Sequence, residues 1–196
     1  MAPLITALRA AGRGRVGVEL DGAPWRMAPL EAVVRAGLTA GLELDRERAR
    51  RFRRELKRTE ASTAAARTLA RRDLPARELE ARLERQGVAP VERRETVGRL
   101  ERAGAVDDAR FARTRAAVLA SRGWGDAAIR HDLVGRGVGP EVAAAVVEEL
   151  EPETERARGV SERLGGGLKA ARALARRGFG EDAIEAAVQD RVAEGE

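Results

Sequence analysis

The chain has no cysteine, which excludes disulfides, thiolate chemistry and a zinc ribbon. Aromatic residues amount to 3 %, and a single histidine, His131, leaves little material for acid–base work or for metal ligation. Lysine is nearly missing as well: Lys57 and Lys169 stand alone among 37 cations, so almost every positive charge is a guanidinium. No uninterrupted apolar run reaches the roughly 20 residues of a membrane span. The opening Met1-Ala2-Pro3-Leu4 lacks a basic segment leading into an apolar one, so a soluble cytoplasmic protein without a membrane partner is expected.

What is present is a repeat. Short helical patterns end in glycine and restart at Arg85-Gln86-Gly87-Val88, Arg136-Gly137-Val138 and Arg176-Arg177-Gly178-Phe179. Leu83, Leu133 and Leu174 each precede the glycine by four residues, and Leu79, Ile129 and Ala170 lie four earlier still, giving each copy one apolar stripe at helical spacing. Beyond each glycine a second stripe follows, in Val91 and Val97, Val142 and Val146, and Ile184 and Val188. The anchors are 50 and then 41 residues apart, a period that signals stacked helical units. Apolar residues reach 43 %, mostly Ala, Leu and Val, which suits thin helical layers and argues against disorder. The expected fold is mainly α, an elongated array of three tandem three-helix repeats preceded by a small module containing a β-hairpin.

Residues 1–44 form that module. Val16, Val18 and Leu20 alternate, Asp21-Gly22 is a hairpin turn pair, and Trp25 and Met27 continue the alternation on the return, with Trp25 in the hairpin core. Leu4–Leu8 and Leu42–Leu44 offer two more short strands, Pro24 confines its strand to an edge, and Pro29–Ala36 reads as a helix closed by Gly37. Residues 45–104 hold a basic helix, capped by Asp45, and the first repeat. A break is expected near Thr59–Thr63, before a helix over 64–72. Residues 105–151 and 152–196 are the second and third repeats. In the second, Phe111, the Arg115 stem, Val118 and Leu119 are expected to face inward. In the third, Gly165-Gly166-Gly167 makes a corner.

Arg46–Arg58 carries eight cations against Glu47 and Glu55, whereas Glu141–Glu155 is mostly acidic. A GC-rich genome also yields surplus arginine, and a charged helix face is often merely solvated, so location says more than the total. The candidate contacts for a partner or nucleic acid are Arg50, Arg51, Arg53 and Arg54 on the basic helix, Arg71 and Arg72 after it, Arg113, Arg122, Trp124 and Arg136 in the second repeat, and Arg176 and Arg177 in the third. Trp124, in a turn flanked by Gly123 and Gly125, reads either as an anchor for a protein or a base, or as a side chain packed over the helix junction.

Catalysis has little to stand on. His131 lies mid-helix with Ala127 and Gly135 one turn away, neither of them a nucleophile or ligand. Adjacent Asp107 and Asp108 ahead of a helix read as caps rather than a hard-cation site. Neither a Walker motif nor a dinucleotide-binding glycine pattern occurs. No enzyme, cofactor or metal is expected.

Several stretches together resemble the RecX family, regulators of the RecA recombinase. They are Arg77-Glu78-Leu79 with Leu83 and Gly87, Asp107-Asp108-Ala109-Arg110-Phe111-Ala112, Arg122-Gly123-Trp124-Gly125 with Ile129, Leu133 and Gly137, and Arg176-Arg177-Gly178-Phe179 with Ile184. The likeness covers about residues 60–190. One departure is Pro75, where family members commonly carry the Ser of a Ser–Glu capping box with Glu78. The resemblance implies tandem three-helix repeats and no known catalysis. It implies a negative modulator in homologous recombination, DNA repair and the SOS response, which binds along the RecA–DNA filament, with single- or double-stranded DNA as a further partner; a monomer is expected. The rival reading is a non-enzymatic helical protein that acts on DNA directly.

Overall fold

The computed structural model describes residues 1–193, in which three strands are followed by ten helices. The strands β1 (Ile5–Ala10), β2 (Arg15–Leu20) and β3 (Ala23–Pro29) form one antiparallel sheet in that order, with Pro24 on the edge strand as expected. Leu42–Leu44 does not form a strand; it contributes one bridge, Leu4 to Glu43, beside the bonds Ile5 N–H to Leu42 O (2.8 Å) and Leu44 N–H to Pro3 O (2.7 Å). The helices are α1 (Leu30–Ala36), α2 (Arg46–Leu69), α3 (Ala76–Arg85), α4 (Pro90–Arg102), α5 (Asp108–Ser121), α6 (Asp126–Gly135), α7 (Pro140–Glu148), α8 (Glu153–Leu164), α9 (Gly167–Arg176) and α10 (Glu181–Ala193). The chain divides into two compact units, Met1–Arg72 with Leu79–Arg102, and Asp73–Glu78 with the chain from Ala103 onward.

In the first unit, the inner face of the sheet buries Ile5, Val16, Val18 and Ala28 against Ala32 and Val33 of α1 and Phe52 and Leu56 of α2. Trp25 is not in this core. A bulge in β3 pairs Val18 with Arg26 and Glu19 with Pro24, leaving Trp25 as the extra residue, so the expected alternation breaks at that point. Its ring is 42 % exposed and rests 5.7 Å from that of Phe52. Met27, opposite Gly17, takes the outer face, and Ala28 is the inward residue.

The expected break near Thr59–Thr63 is absent, and α2 runs unbroken for 24 residues from its Asp45 cap. The hydroxyls of Ser62, Thr63 and Thr68 donate to the carbonyls four residues back at 2.8–2.9 Å, so none disturbs the helical ladder. Their propensity cost is a few tenths of a kcal/mol each, and burial of Ala61 and Ala65 on the inward face outweighs it. One helix thus serves both the sheet, through Phe52 and Leu56, and α4, which packs along its later turns.

In the second unit α5, α6 and α7 share one core and α8, α9 and α10 another. The inward face of α5 is Ala112, Ala116 and Leu119; Phe111 is half-buried and Val118 is 38 % exposed. Phe111 packs against this core from its margin, as expected, whereas Val118 lies off the seam.

The three anchor glycines share a backbone motif. Gly87, Gly137 and Gly178 have φ of 79°, 94° and 76°, and the amide after each donates to the carbonyl of Leu83, Leu133 or Leu174 at 3.1–3.2 Å. This is the left-handed helix ending that glycine tolerates best. The leucines one turn earlier are fully buried, as are Leu79, Ile129 and Ala170. α5 closes in the same way, with Gly123 at φ 77° and the Trp124 amide donating to Leu119 O at 3.1 Å.

Candidate functional site

Two helix starts in the second unit are capped from far along the chain. The Ala76 amide, in the first turn of α3, donates to Asp108 Oδ1 at 2.8 Å, and the Asp126 amide, in the first turn of α6, donates to Glu153 Oε1 at 2.6 Å. Asp108 and Glu153 are the first residues of α5 and α8. Within the same first turns, the β-carbon that Gly137 lacks would fall 2.6 Å from Arg77 Cβ, and the one that Gly178 lacks would fall 2.7 Å from Ala128 Cβ. Each joint therefore has the same two parts: an acid that caps, and a glycine that lets a helix start sit against the next anchor. Gly125 completes the second joint, since its amide bonds Arg177 O at 2.9 Å and a side chain there would strike Gly178 O. At Gly87, by contrast, the space is open.

This joint resolves the loss of the local capping box at Pro75. The cap of α3 is remote, and the two adjacent aspartates divide the work: Asp107 caps its own helix through the Arg110 amide (2.9 Å), and Asp108 caps α3. The bond to Arg110 N–H holds Asp107 below the ordinary carboxylate pKa.

Ion pairs brace the joints. Arg115 grips both oxygens of Asp132 at 2.9 Å, and Arg136 bonds Asp132 at 3.0 Å and reaches Glu78 at 3.4 Å. The fork from Arg115, followed by Arg136, holds Asp132 below the usual carboxylate range, and the same bond raises Arg115. Arg156 is only 9 % exposed. It donates to Trp124 O and Glu151 O at 2.9 Å each, pairs with Asp126, and lies 5.9 Å over the Phe179 ring.

The candidate arginines therefore have different fates. Arg136 is half-buried in the Asp132–Glu78 network and Arg113 pairs with Glu149 at 2.9 Å. Arg51 and Arg53 lie exposed on α2 but donate to the carbonyls of Arg35 and Ala49, while Arg50 and Arg54 extend into solvent beside them. Arg71, Arg72, Arg122 and Arg176 are exposed. Arg177 is half-buried, with its guanidinium beside Gly123. Arg177 is thus brought to the turn that carries Trp124, with Arg122 just before that turn in sequence. The Trp124 side chain is 40 % exposed, while its backbone amide and carbonyl are both bonded.

Three arginines outside that set join Arg71. Arg15, Arg67 and Arg82 line a cavity of about 390 Å³ with it, together with Thr63 and Thr68, and Glu60 is the one acid on its wall. The signal in the sequence was the proximity of Arg67 and Arg71, one in the last turn of α2 and the other in the turn that follows it. Among the described residues no group of three or more potential ligands could hold a metal, and no helix is long and apolar enough to cross a membrane.

The model for the family described as "RecX, second three-helix domain" matches residues 107–147, the span of α5–α7. Regulatory protein RecX of Stenotrophomonas maltophilia (strain R551-3) is 33 % identical over 123 residues, covering 58 % of this chain and 76 % of that protein. The chain belongs to the RecX family. Its fold is also that of RecX structures. A crystal structure of regulatory protein RecX superposes with a TM-score of 0.81 at 17 % identity, over 96 % of this chain and 99 % of that one. RecX from Lactobacillus salivarius gives 0.62 at 16 % identity, over 68 % and 96 %. The mainly helical architecture with a small N-terminal sheet is therefore a RecX-family fold, and the family is one of regulatory proteins.

Proposed function

We propose that the chain is a negative modulator of the RecA recombinase in the cytoplasm, which binds as a monomer along the RecA–DNA filament through protein contacts and arginine-rich faces. The observation that carries the reading is the repeated joint, Arg77 on Gly137 and Ala128 on Gly178, in a member of the RecX family. Both contacts seat a helix start on an anchor glycine in the same way, and a ligand of a polymer of identical subunits needs contact surfaces that recur. Several weak contacts of this kind act together through effective concentration, with no deep pocket and no chemical step. The solvent-facing Trp124, beside Arg122 and Arg177, supplies an aromatic anchor with flanking charge.

Purified protein should suppress the DNA-dependent ATP hydrolysis and strand exchange of RecA at substoichiometric ratio. Absence of any effect on either at molar excess overturns the reading.

The arginine cavity beside α2 favours a second reading, direct DNA binding with indirect effects on recombination. Salt separates the two. A phosphate-driven binder loses DNA affinity with a log–log slope of about 0.9 per phosphate contacted on duplex, whereas a protein-interface regulator still co-sediments with filament at moderate salt.

A further inference from the structure

On the side of α2 opposite that cavity lies a second cleft, half a helical turn round from Arg67, at Arg58. Its volume is about 490 Å³, and it is lined by Arg58, Arg94, Glu95, Gly98, Arg99 and Arg102. We propose that this cleft is a phosphate-binding site, taking the phosphodiester of a nucleic-acid strand or the phosphates of a free nucleotide, with Arg99 as its oriented floor.

Three observations carry it. Arg99 is half-buried, yet it is held by neutral groups: its Nη2 donates to Ser62 Oγ and to Thr96 Oγ1, each at 3.1 Å, and its Nε donates to the Glu95 carbonyl at 3.3 Å. Thr96 is 1 % exposed, so the hydroxyl that fixes the guanidinium plane is itself fixed. A guanidinium oriented by hydroxyls keeps its full charge for a ligand, where one paired with a carboxylate does not.

The second observation is crowding. Arg94 and Arg102 make no ion pair among the described residues, and Arg58 shares its charge only with Glu55, at 3.8 Å. Four guanidiniums thus border one cleft, with Glu95 the sole acid on its wall. Burial, then the charge of Arg58, pushes Arg99 below the ordinary arginine pKa, with lesser help from Arg35 and Arg102 and against the opposing pull of Glu95. Like charges held this close oppose folding unless an anion joins them. The third is shape. Gly98 leaves the wall low, and donors converge from α2 and α4, which suits the several oxygens of a tetrahedral phosphate better than a flat carboxylate served by one fork.

The test is thermal unfolding of the full chain in inorganic phosphate against chloride at matched ionic strength. At phosphate about tenfold above its Kd, linkage raises Tm by about 3–5 °C. The double variant Arg94→Gln, Arg102→Gln alters only exposed side chains and should lose the shift while its Tm in chloride stays the same or rises, since two mutually repelling charges are gone. Arg99→Lys, which keeps the charge and loses the fork, should retain less than half of it. No shift beyond chloride, or an equal shift in the double variant, overturns the site.

Anisotropy of a labelled oligothymidylate and competition by ATP then identify the source. A strand held here binds about tenfold more weakly to the double variant, with a log–log salt slope smaller by about 1.4 for two lost contacts on single strands. If the strand binds both proteins alike and only ATP discriminates them, the ligand is a free nucleotide. None of these measurements contains RecA, so the site and the recombinase reading stand or fall separately.

Discussion

The carboxylate of Asp108 accepts the backbone amide of Ala76 at 2.8 Å, across 32 residues of chain. A helix start and the acid that completes it thus belong to different repeats, and the cap becomes part of the joint.

Asp108→Ala should cost about 1–2 kcal/mol, because it strips the remote cap from α3. Asp107→Ala should cost about 1 kcal/mol through the local cap of α5. Hydrogen exchange distinguishes them: the Ala76 amide should lose protection in the first variant and keep it in the second. Equal protection in both means that Asp108 does not cap α3.

Gly137→Ala and Gly87→Ala place the same methyl at the same left-handed backbone motif, φ 94° and 79°, but in different surroundings. At Gly87 nothing is near, so only the backbone penalty of about 1–2 kcal/mol applies. At Gly137 the methyl meets the Arg77 side chain at 2.6 Å, so the joint must open as well, and the loss should exceed that at Gly87 by at least about 1 kcal/mol. Denaturant unfolding of the two variants reads the difference directly.

Acid should act through Asp132. Its pKa is depressed in the folded chain by Arg115 and then Arg136, so its contribution is fully present above the unfolded value of about 3.9. That contribution is lost as pH falls through this value toward the lower folded one. Asp132→Asn should therefore be less stable than the parent at pH 7, with a difference that shrinks below about pH 4. Melting curves from pH 7 down to pH 3 check the convergence; a constant gap across that range contradicts the assignment.

Trp124→Ala removes a side chain that is 40 % exposed and leaves both backbone bonds of the turn intact. Helicity should be unchanged and Tm should fall by only a few degrees, about what 1 kcal/mol produces in a chain of this length. Retention on RecA–DNA filaments should drop about tenfold or more, as for an anchor worth about 2 kcal/mol at an interface. A large Tm loss with filament binding preserved would make Trp124 structural.

Local chemistry was legible in the chain. The three glycine endings, the Asp21-Gly22 hairpin, the Gly37 stop and the start of most helices all follow from backbone preferences that operate within four or five residues. The errors arose where a neighbour distant in sequence decides. The break near Thr59–Thr63 followed from propensity, but propensity amounts to tenths of a kcal/mol and yields to the burial of Ala61 and Ala65. Val118 looked inward by size, yet the inward seam of α5 is Ala112, Ala116 and Leu119, with Phe111 packed at its margin. Trp25 left the core because one bulge shifts the face of a strand.

By itself the sequence determined that this protein is a set of glycine-ended helix pairs behind a small sheet, since left-handed endings and apolar stripes are properties of neighbouring residues. Only the tertiary structure decided which arginines brace joints and which face open clefts. Arg136 and Arg99 are alike as letters, but Asp132 and Glu78 stand before one and only hydroxyls and a carbonyl before the other. A charge acquires its role from the groups folding places around it, and those come from far along the chain.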